Sequence, residues 1–84
     1  MFYTYVIRND KDKIYIGYTS DLEKRLLRHN GLLRNKVTSF TYKNKGLWVI
    51  VYQEKFNTRT EAMKREKELK SSRGRNFIRS LLIK

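Results

Sequence analysis

The chain has 84 residues, with twenty Lys or Arg against eight Asp or Glu for a formal charge of +12, no cysteine and one histidine. That length predicts one domain, residues 1–84, burying only roughly 60 to 65% of its unfolded surface, and the missing cysteines exclude a disulfide framework or a Cys-based zinc site, which suits a reducing, cytoplasmic setting. No charged leader precedes an apolar run and no stretch approaches the roughly 20 apolar residues of a membrane helix, so no membrane is expected, and the positive charge points to a polyanionic partner, nucleic acid first.

The first segment, FYTYVIR from Phe2 to Arg8, alternates as a strand does, and KIYIGY from Lys13 to Tyr18 reads as its hairpin partner across a turn drawn from Asn9, Asp10, Lys11 and Asp12. With Arg8 opposite Asp12 or Ile14, one face carries Tyr3, Tyr5, Ile7, Tyr15 and Gly17, and the other Phe2, Val6, Ile14 and Ile16. A slip of one residue would place Tyr15 among the core residues, so the even register is expected. The second strand is read as stopping at Gly17, in a turn that feeds a helix.

That helix is expected to start after Ser20, with Ser20 and Glu23 forming a capping box, and to end near Asn30 and Gly31. Leu22 and Leu26 define its buried stripe, with His29 beside them and Arg25 on the edge. Leu32 to Gly46 has weak periodicity and reads as a loop. LWVIVYQEKF, from Leu47 to Phe56, predicts a third strand buried on both faces. A second helix opens at Asn57, Thr58 or Thr60 and runs to about Ser71. A third spans Arg75 to Ile83, with Phe77, Ile78, Leu81 and Leu82 on its apolar side. The expected architecture is α/β of the α+β type: a small three-stranded antiparallel sheet flanked by about three helices.

Two features of this layout carry chemistry. No acid lies between Glu23 and Glu54 or after Glu68, so Arg34, Lys36, Lys43 and Lys45 in the loop, and Lys70, Arg73, Arg75 and Arg79 in the tail, form two basic segments that could track a phosphate backbone. On the wheel of the second helix, Ala62, Met63, Leu69 and the stem of Lys70 span an arc of about 120°, and Glu66 falls inside it while Glu61 and Glu68 point away. A carboxylate facing the sheet needs a counter-charge, either a metal ion or an arginine, with Arg25 and Arg65 as the candidates.

The order of these elements, with Tyr3-Thr4-Tyr5 in the first strand, Tyr15-Ile16-Gly17 in the second, Arg25 eight residues beyond that glycine and Glu66 in EAMKREKELK, resembles the GIY-YIG nuclease superfamily. The resemblance covers essentially the whole chain and is closest to the small free-standing bacterial members. It implies metal-dependent hydrolysis of a DNA phosphodiester bond. On matching positions it implies that Tyr5 and Tyr15 are the two motif tyrosines, that Arg25 contacts phosphate, that His29 lies near the scissile phosphate and that Glu66 holds a single Mg²⁺ or Mn²⁺ ion. Gly17 is the turn at the strand's end. Tyr3 and Thr4 stand where the family has Gly-Ile.

The residue types suit that chemistry. Magnesium keeps most of its waters and needs only one or two carboxylates, so one Glu suffices when the substrate phosphate supplies another ligand. Arg25 can donate two hydrogen bonds to a phosphate, and a nearby cation can lower a phenol enough for Tyr5 or Tyr15 to accept a proton from water. The alternative is a catalytically silent nucleic-acid-binding module on the same fold, in which an arginine would seal Glu66; a third reading is a plain protein-interaction domain. With no recognition domain in view, branched, flapped or damaged DNA is a better substrate than a specific sequence, unless a protein partner supplies specificity.

Overall fold

The structure, a computed structural model, describes residues 1–30 and 47–82. The expected loop over 32–46, with Arg34, Lys36, Lys43 and Lys45, lies outside the described residues. Among the described residues, three strands and three helices follow one another as β1 (Phe2–Arg8), β2 (Ile14–Thr19), α1 (Leu22–His29), β3 (Val49–Phe56), α2 (Arg59–Lys70) and α3 (Ser72–Leu82). The strands form an antiparallel sheet in the order β2-β1-β3. This is the α/β architecture expected from the sequence. No helix among the described residues is long and apolar enough to cross a membrane.

The hairpin register follows from its turn. The Asn9 side-chain carbonyl accepts from the backbone N–H groups of Lys11 and Lys13, at 3.0 and 2.9 Å, while its own N–H donates to the Lys13 carbonyl. Asp12 takes a positive φ of 62°, a conformation that aspartate tolerates better than most residues, and its carboxylate pairs with Arg8. Arg8 therefore faces Ile14, Tyr5 faces Gly17 and Ile7 faces Tyr15, which is the even register with the two tyrosines on one face.

Both faces of the sheet are covered. Val6 and Ile16 pack under Leu69 of α2 and Ile78 of α3 on one side; Tyr5, Ile7 and Trp48 pack with Leu22 and Leu26 of α1 on the other. The tyrosine face is thus a second core, sealed by an amphipathic helix whose cap is Asp21, accepting from the Lys24 N–H, and not Ser20. Asn30 closes the helix and brackets Trp48, receiving its N–H on Oδ1 and donating Nδ2–H to its carbonyl. Among the described residues β3 is an edge strand, and the expectation that it would be buried on both faces fails; Leu47 and Val49 are exposed, and the central, doubly buried strand is β1. A bulge at Val51 lets both Val51 and Tyr52 pack against the α2–α3 core.

α2 starts at Thr58 with a full capping box to Glu61, and Thr4, wholly buried in β1, donates its hydroxyl to the Ala62 carbonyl at 2.7 Å. A threonine in this strand therefore ties the sheet to α2 one turn before Glu66. α3 begins at Ser72, three residues earlier than expected, because Ser71 both closes α2 and caps α3: its hydroxyl donates to the Glu68 carbonyl and accepts from the Gly74 N–H. The two helices meet so closely at Gly74 that a Cβ there would lie 2.4 Å from the Leu69 Cα.

Gly17 lies inside β2, which continues to Thr19, so it is not the turn expected at the strand's end. The glycine is needed for space. A Cβ on Gly17 would stand 2.8 Å from the Tyr5 hydroxyl and 2.9 Å from the Tyr15 ring. Gly17→Ala is expected to displace the buried Tyr5 ring and the half-buried Tyr15 ring and to cost about 1 to 3 kcal/mol, read as a lower urea midpoint at unchanged slope.

Candidate active site

The site forms where the two layers of helices reach around the free edge of β2. A polar cavity of about 400 Å³ is lined by Tyr15, Tyr18, Thr19 and Ser20 along the strand and its exit, by Arg25 from α1, and by Arg59 and Glu66 from α2. Arg25 and Glu66 come from opposite faces of the sheet. They can share one cavity because, among the described residues, β2 has a strand neighbour on one side only, and the helices overhang the other.

Behind the cavity sit three rings. The Tyr5 hydroxyl lies 2.7 Å from His29 Nε2, and the Tyr15 ring centroid is 4.9 Å from that of His29 and 6.2 Å from that of Tyr5. Tyr5 is only 1% exposed, whereas Tyr15 is half-buried and reaches the cavity. Of the residues expected at the site, the structure therefore brings Tyr15, Arg25 and Glu66 to one opening and places Tyr5 and His29 as a hydrogen-bonded pair beneath it.

Burial raises the pKa of both tyrosines; the Arg25 guanidinium opposes that shift and the Glu66 carboxylate adds to it. Desolvation pushes His29 down to about 4, helped by the positive charges of Arg25 and Arg28. At neutral pH the inner pair is thus a neutral imidazole and an un-ionised phenol. In the Nδ1–H tautomer the Tyr5 O–H donates to Nε2.

Glu66 has an exposed fraction of 20% on its side chain and an ion-pair distance of 3.8 Å to Lys70 Nζ. Arg65, one of the two arginines considered as its partner, pairs instead with Glu54 at 2.7 Å, a carboxylate that also accepts from the Tyr52 hydroxyl. Among the described residues no group of three or more His, Cys, Asp or Glu gathers. One partly buried carboxylate opening onto a polar cavity fits a hard divalent cation that keeps its waters and shares a substrate phosphate.

The basic tail divides. Lys70, Arg75 and Arg79 line a second cavity beside β2, whereas Arg73 turns to a different surface with Arg65 and Phe77. Tyr18 and Arg59 escaped the reading of the sequence. The Arg59 guanidinium donates to the Tyr18 hydroxyl at 3.1 Å and lies 5.7 Å from the ring centroid. A signal was present: Arg59 is the first residue of α2, where the helix dipole disfavours a cation.

The sheet and its flanking helices are those of a nuclease-family domain. The family model described as the GIY-YIG catalytic domain matches residues 1–78, and the chain belongs to the GIY-YIG family. A UPF0213 protein of Staphylococcus saprophyticus is 38% identical over 69 residues, 82% of this chain and 79% of the relative. One from Staphylococcus epidermidis is 32% identical over the same shares. Among solved structures, the solution NMR structure of a UPF0213 protein from Bacillus halodurans aligns with a TM-score of 0.54 and 29% identity, covering 98% of this chain and 86% of that one.

The depressed His29 makes stability pH-dependent. Its pKa is near 6.5 in the unfolded chain and about 4 in the fold, so between those values the unfolded state binds the extra proton. The contribution is complete above about pH 6.5 and is lost as the pH falls toward 4, by up to roughly 3 kcal/mol. Thermal melts at pH 7.5 and 4.5 should show a smaller acid-induced drop in Tm for His29→Gln than for the wild type.

Proposed function

We propose that the protein is a divalent-metal-dependent endonuclease that hydrolyses DNA phosphodiester bonds, acting as a single cytoplasmic domain over residues 1–84. The observation that carries this reading is the shared cavity of Tyr15, Arg25 and Glu66 at the edge of β2. Glu66 is the residue that would hold one Mg²⁺ or Mn²⁺ ion, which when bound would polarise a phosphate oxygen and lower the pKa of nearby hydroxyl groups.

The chain's own groups account for the remainder. Arg25 donates to the scissile phosphate and offsets the charge that develops as water attacks phosphorus. Tyr15, the motif tyrosine that reaches the cavity, takes the proton from the attacking water as the P–O bond to one sugar oxygen breaks, and that oxygen leaves with a proton from solvent. Its raised pKa favours the phenol, so this role depends on the cationic side of the cavity, and Arg25 already acts in that direction. Tyr5 and His29 hold Tyr15 and the floor of the cavity in place through their buried hydrogen bond. Arg59, steadied on Tyr18, holds a neighbouring phosphate.

The substrate class favoured by this site is branched, flapped or damaged DNA, as met in repair and recombination, because its contacts are with phosphates and carry no base code. A protein partner would supply any sequence specificity. The silent-module reading calls for an arginine closing Glu66, and the carboxylate's cavity is instead shared with Arg25 and open to solvent.

Glu66→Gln keeps the side chain's shape and removes its charge. Cleavage of a panel of branched substrates with Mn²⁺ should be abolished, while DNA affinity without metal holds or rises slightly. A Mn²⁺-induced rise in Tm should appear in the wild type and vanish in the variant; equal shifts in both would remove Glu66 as the ligand. Arg25→Ala should lose cleavage and also bind DNA modestly less well.

Binding itself should be strongly salt-dependent. Log affinity against log salt is expected to fall with a slope of about −0.9 for each phosphate neutralised on duplex DNA, and a slope near zero in a fluorescence titration would contradict the DNA reading.

A further inference from the structure

Next to the site lies a second opening, which shares only Tyr15 with it. It is a groove of about 490 Å³ between the free edge of β2 and the last two helices, with Ile14, Ile16, Ile78 and Leu82 as its floor. Lys70, Arg75 and Arg79 form its rim. The volume falls within the roughly 300 to 1,000 Å³ typical of small-ligand sites. Ile16 and Ile78 are anchored in the core, whereas Arg75 and Arg79 are exposed on α3.

The groove adjoins the candidate active site. Tyr15 lines both openings, and α2 supplies Glu66 to one and Lys70, a single turn later, to the other, with the two side chains 3.8 Å apart. A DNA strand with a phosphate at Arg25 and Glu66 would run on over the groove. An apolar floor inside a ring of cations matches a nucleotide: an apolar base face carried on an anionic backbone. In a duplex those faces are stacked and the edges paired, so only an unpaired nucleotide has a base free to enter.

We propose that this groove receives one unpaired nucleotide flanking the scissile phosphate, its base on Ile14, Ile16, Ile78 and Leu82 and its phosphates on Lys70, Arg75 and Arg79. The inference rests on the nuclease reading for what occupies the neighbouring cavity, and it makes DNA with a single-stranded arm at the cut the substrate class. It also gives Lys70 two partners in turn: Glu66 in the free protein and a phosphate when Glu66 holds a cation.

Binding is tested in EDTA, by anisotropy, on a blunt duplex and on the same duplex carrying a single-stranded arm with 2-aminopurine at the junction. The armed duplex should bind about tenfold more tightly, with a change in 2-aminopurine emission on binding. Leu82→Trp fills the groove but leaves all three cations, and should bring the two affinities within twofold of each other. Arg79→Glu, an exposed change that leaves the core untouched, should weaken the armed duplex more than the blunt one. Equal wild-type affinities, or a preference that survives both variants, would overturn the proposal. Cleavage with Mn²⁺ is scored separately. Equal cutting of both duplexes with no binding preference keeps the nuclease reading and removes the groove. An arm preference lost in Leu82→Trp, with no cleavage of any substrate, keeps the nucleotide groove and removes the nuclease.

Discussion

Two tyrosine rings lie across one glycine in the middle of β2, and the positions of Tyr15 and Arg25 at the cavity follow from that close approach. With Gly17 bare, Tyr5 can lie flat enough against the strand for its hydroxyl to meet His29, and Tyr15 can turn outward along the sheet edge. The Tyr5–His29 bond in turn fixes the last turn of α1. Arg25, one turn earlier on that helix, is thereby held at the cavity. On the opposite layer, Thr4 performs the equivalent task for α2, so that Glu66 arrives at the same edge from the other side.

The electrostatics of this arrangement are asymmetric. A chain of formal charge +12 places one carboxylate in a cavity that also holds Arg25 and Arg59, and keeps its other packed acid, Glu54, engaged by Arg65 and Tyr52. Burial keeps the inner histidine neutral and the tyrosines protonated, which avoids placing a charge in the second core. The charged groups thus stand at the rim and the uncharged hydrogen-bonding pair beneath them. The rim can exchange partners with a polyanion while the packed layer stays unchanged.

Much of this could be read from the residues in order. The alternation of FYTYVIR and KIYIGY, with Asn and Asp in the turn, fixed the register and hence the shared face of Tyr5 and Tyr15, because a one-residue slip would have inverted both strands. Glu66 stood out because a 3.6-residue period places it among Ala62 and Leu69, both fully buried. Other features depended on neighbours that no local pattern reveals. Gly17 carries the same letter whether it turns the chain or makes room for a ring, and only the partner Tyr5 across the ladder distinguishes the two. Ser20 and Asp21 are both good caps, and the choice fell one residue later than the capping-box pattern suggested. The apolar run of β3 looks doubly buried, but its place at the edge is set by strand order, which a single segment does not encode. Arg59 went unnoticed because it belongs to no run of charge.

The two ends of the chain supply different walls of the cavity: residues before Asn30 give Tyr15, Tyr18 and Arg25, and residues after Asn57 give Arg59 and Glu66. Across the sheet these halves are joined by the β1–β3 ladder and by the Thr4–Ala62 bond. Any ligand that engages both walls binds the native chain and has no counterpart site in the unfolded one. It therefore adds RT ln(1 + [L]/Kd) to the folding free energy, about 2.7 kcal/mol at a hundredfold excess over Kd. For an 84-residue domain with a small core, that is a large share of the marginal stability such domains have. Occupancy of the cavity is thus coupled to the persistence of the fold, and the protein should resist proteolysis best when it is bound.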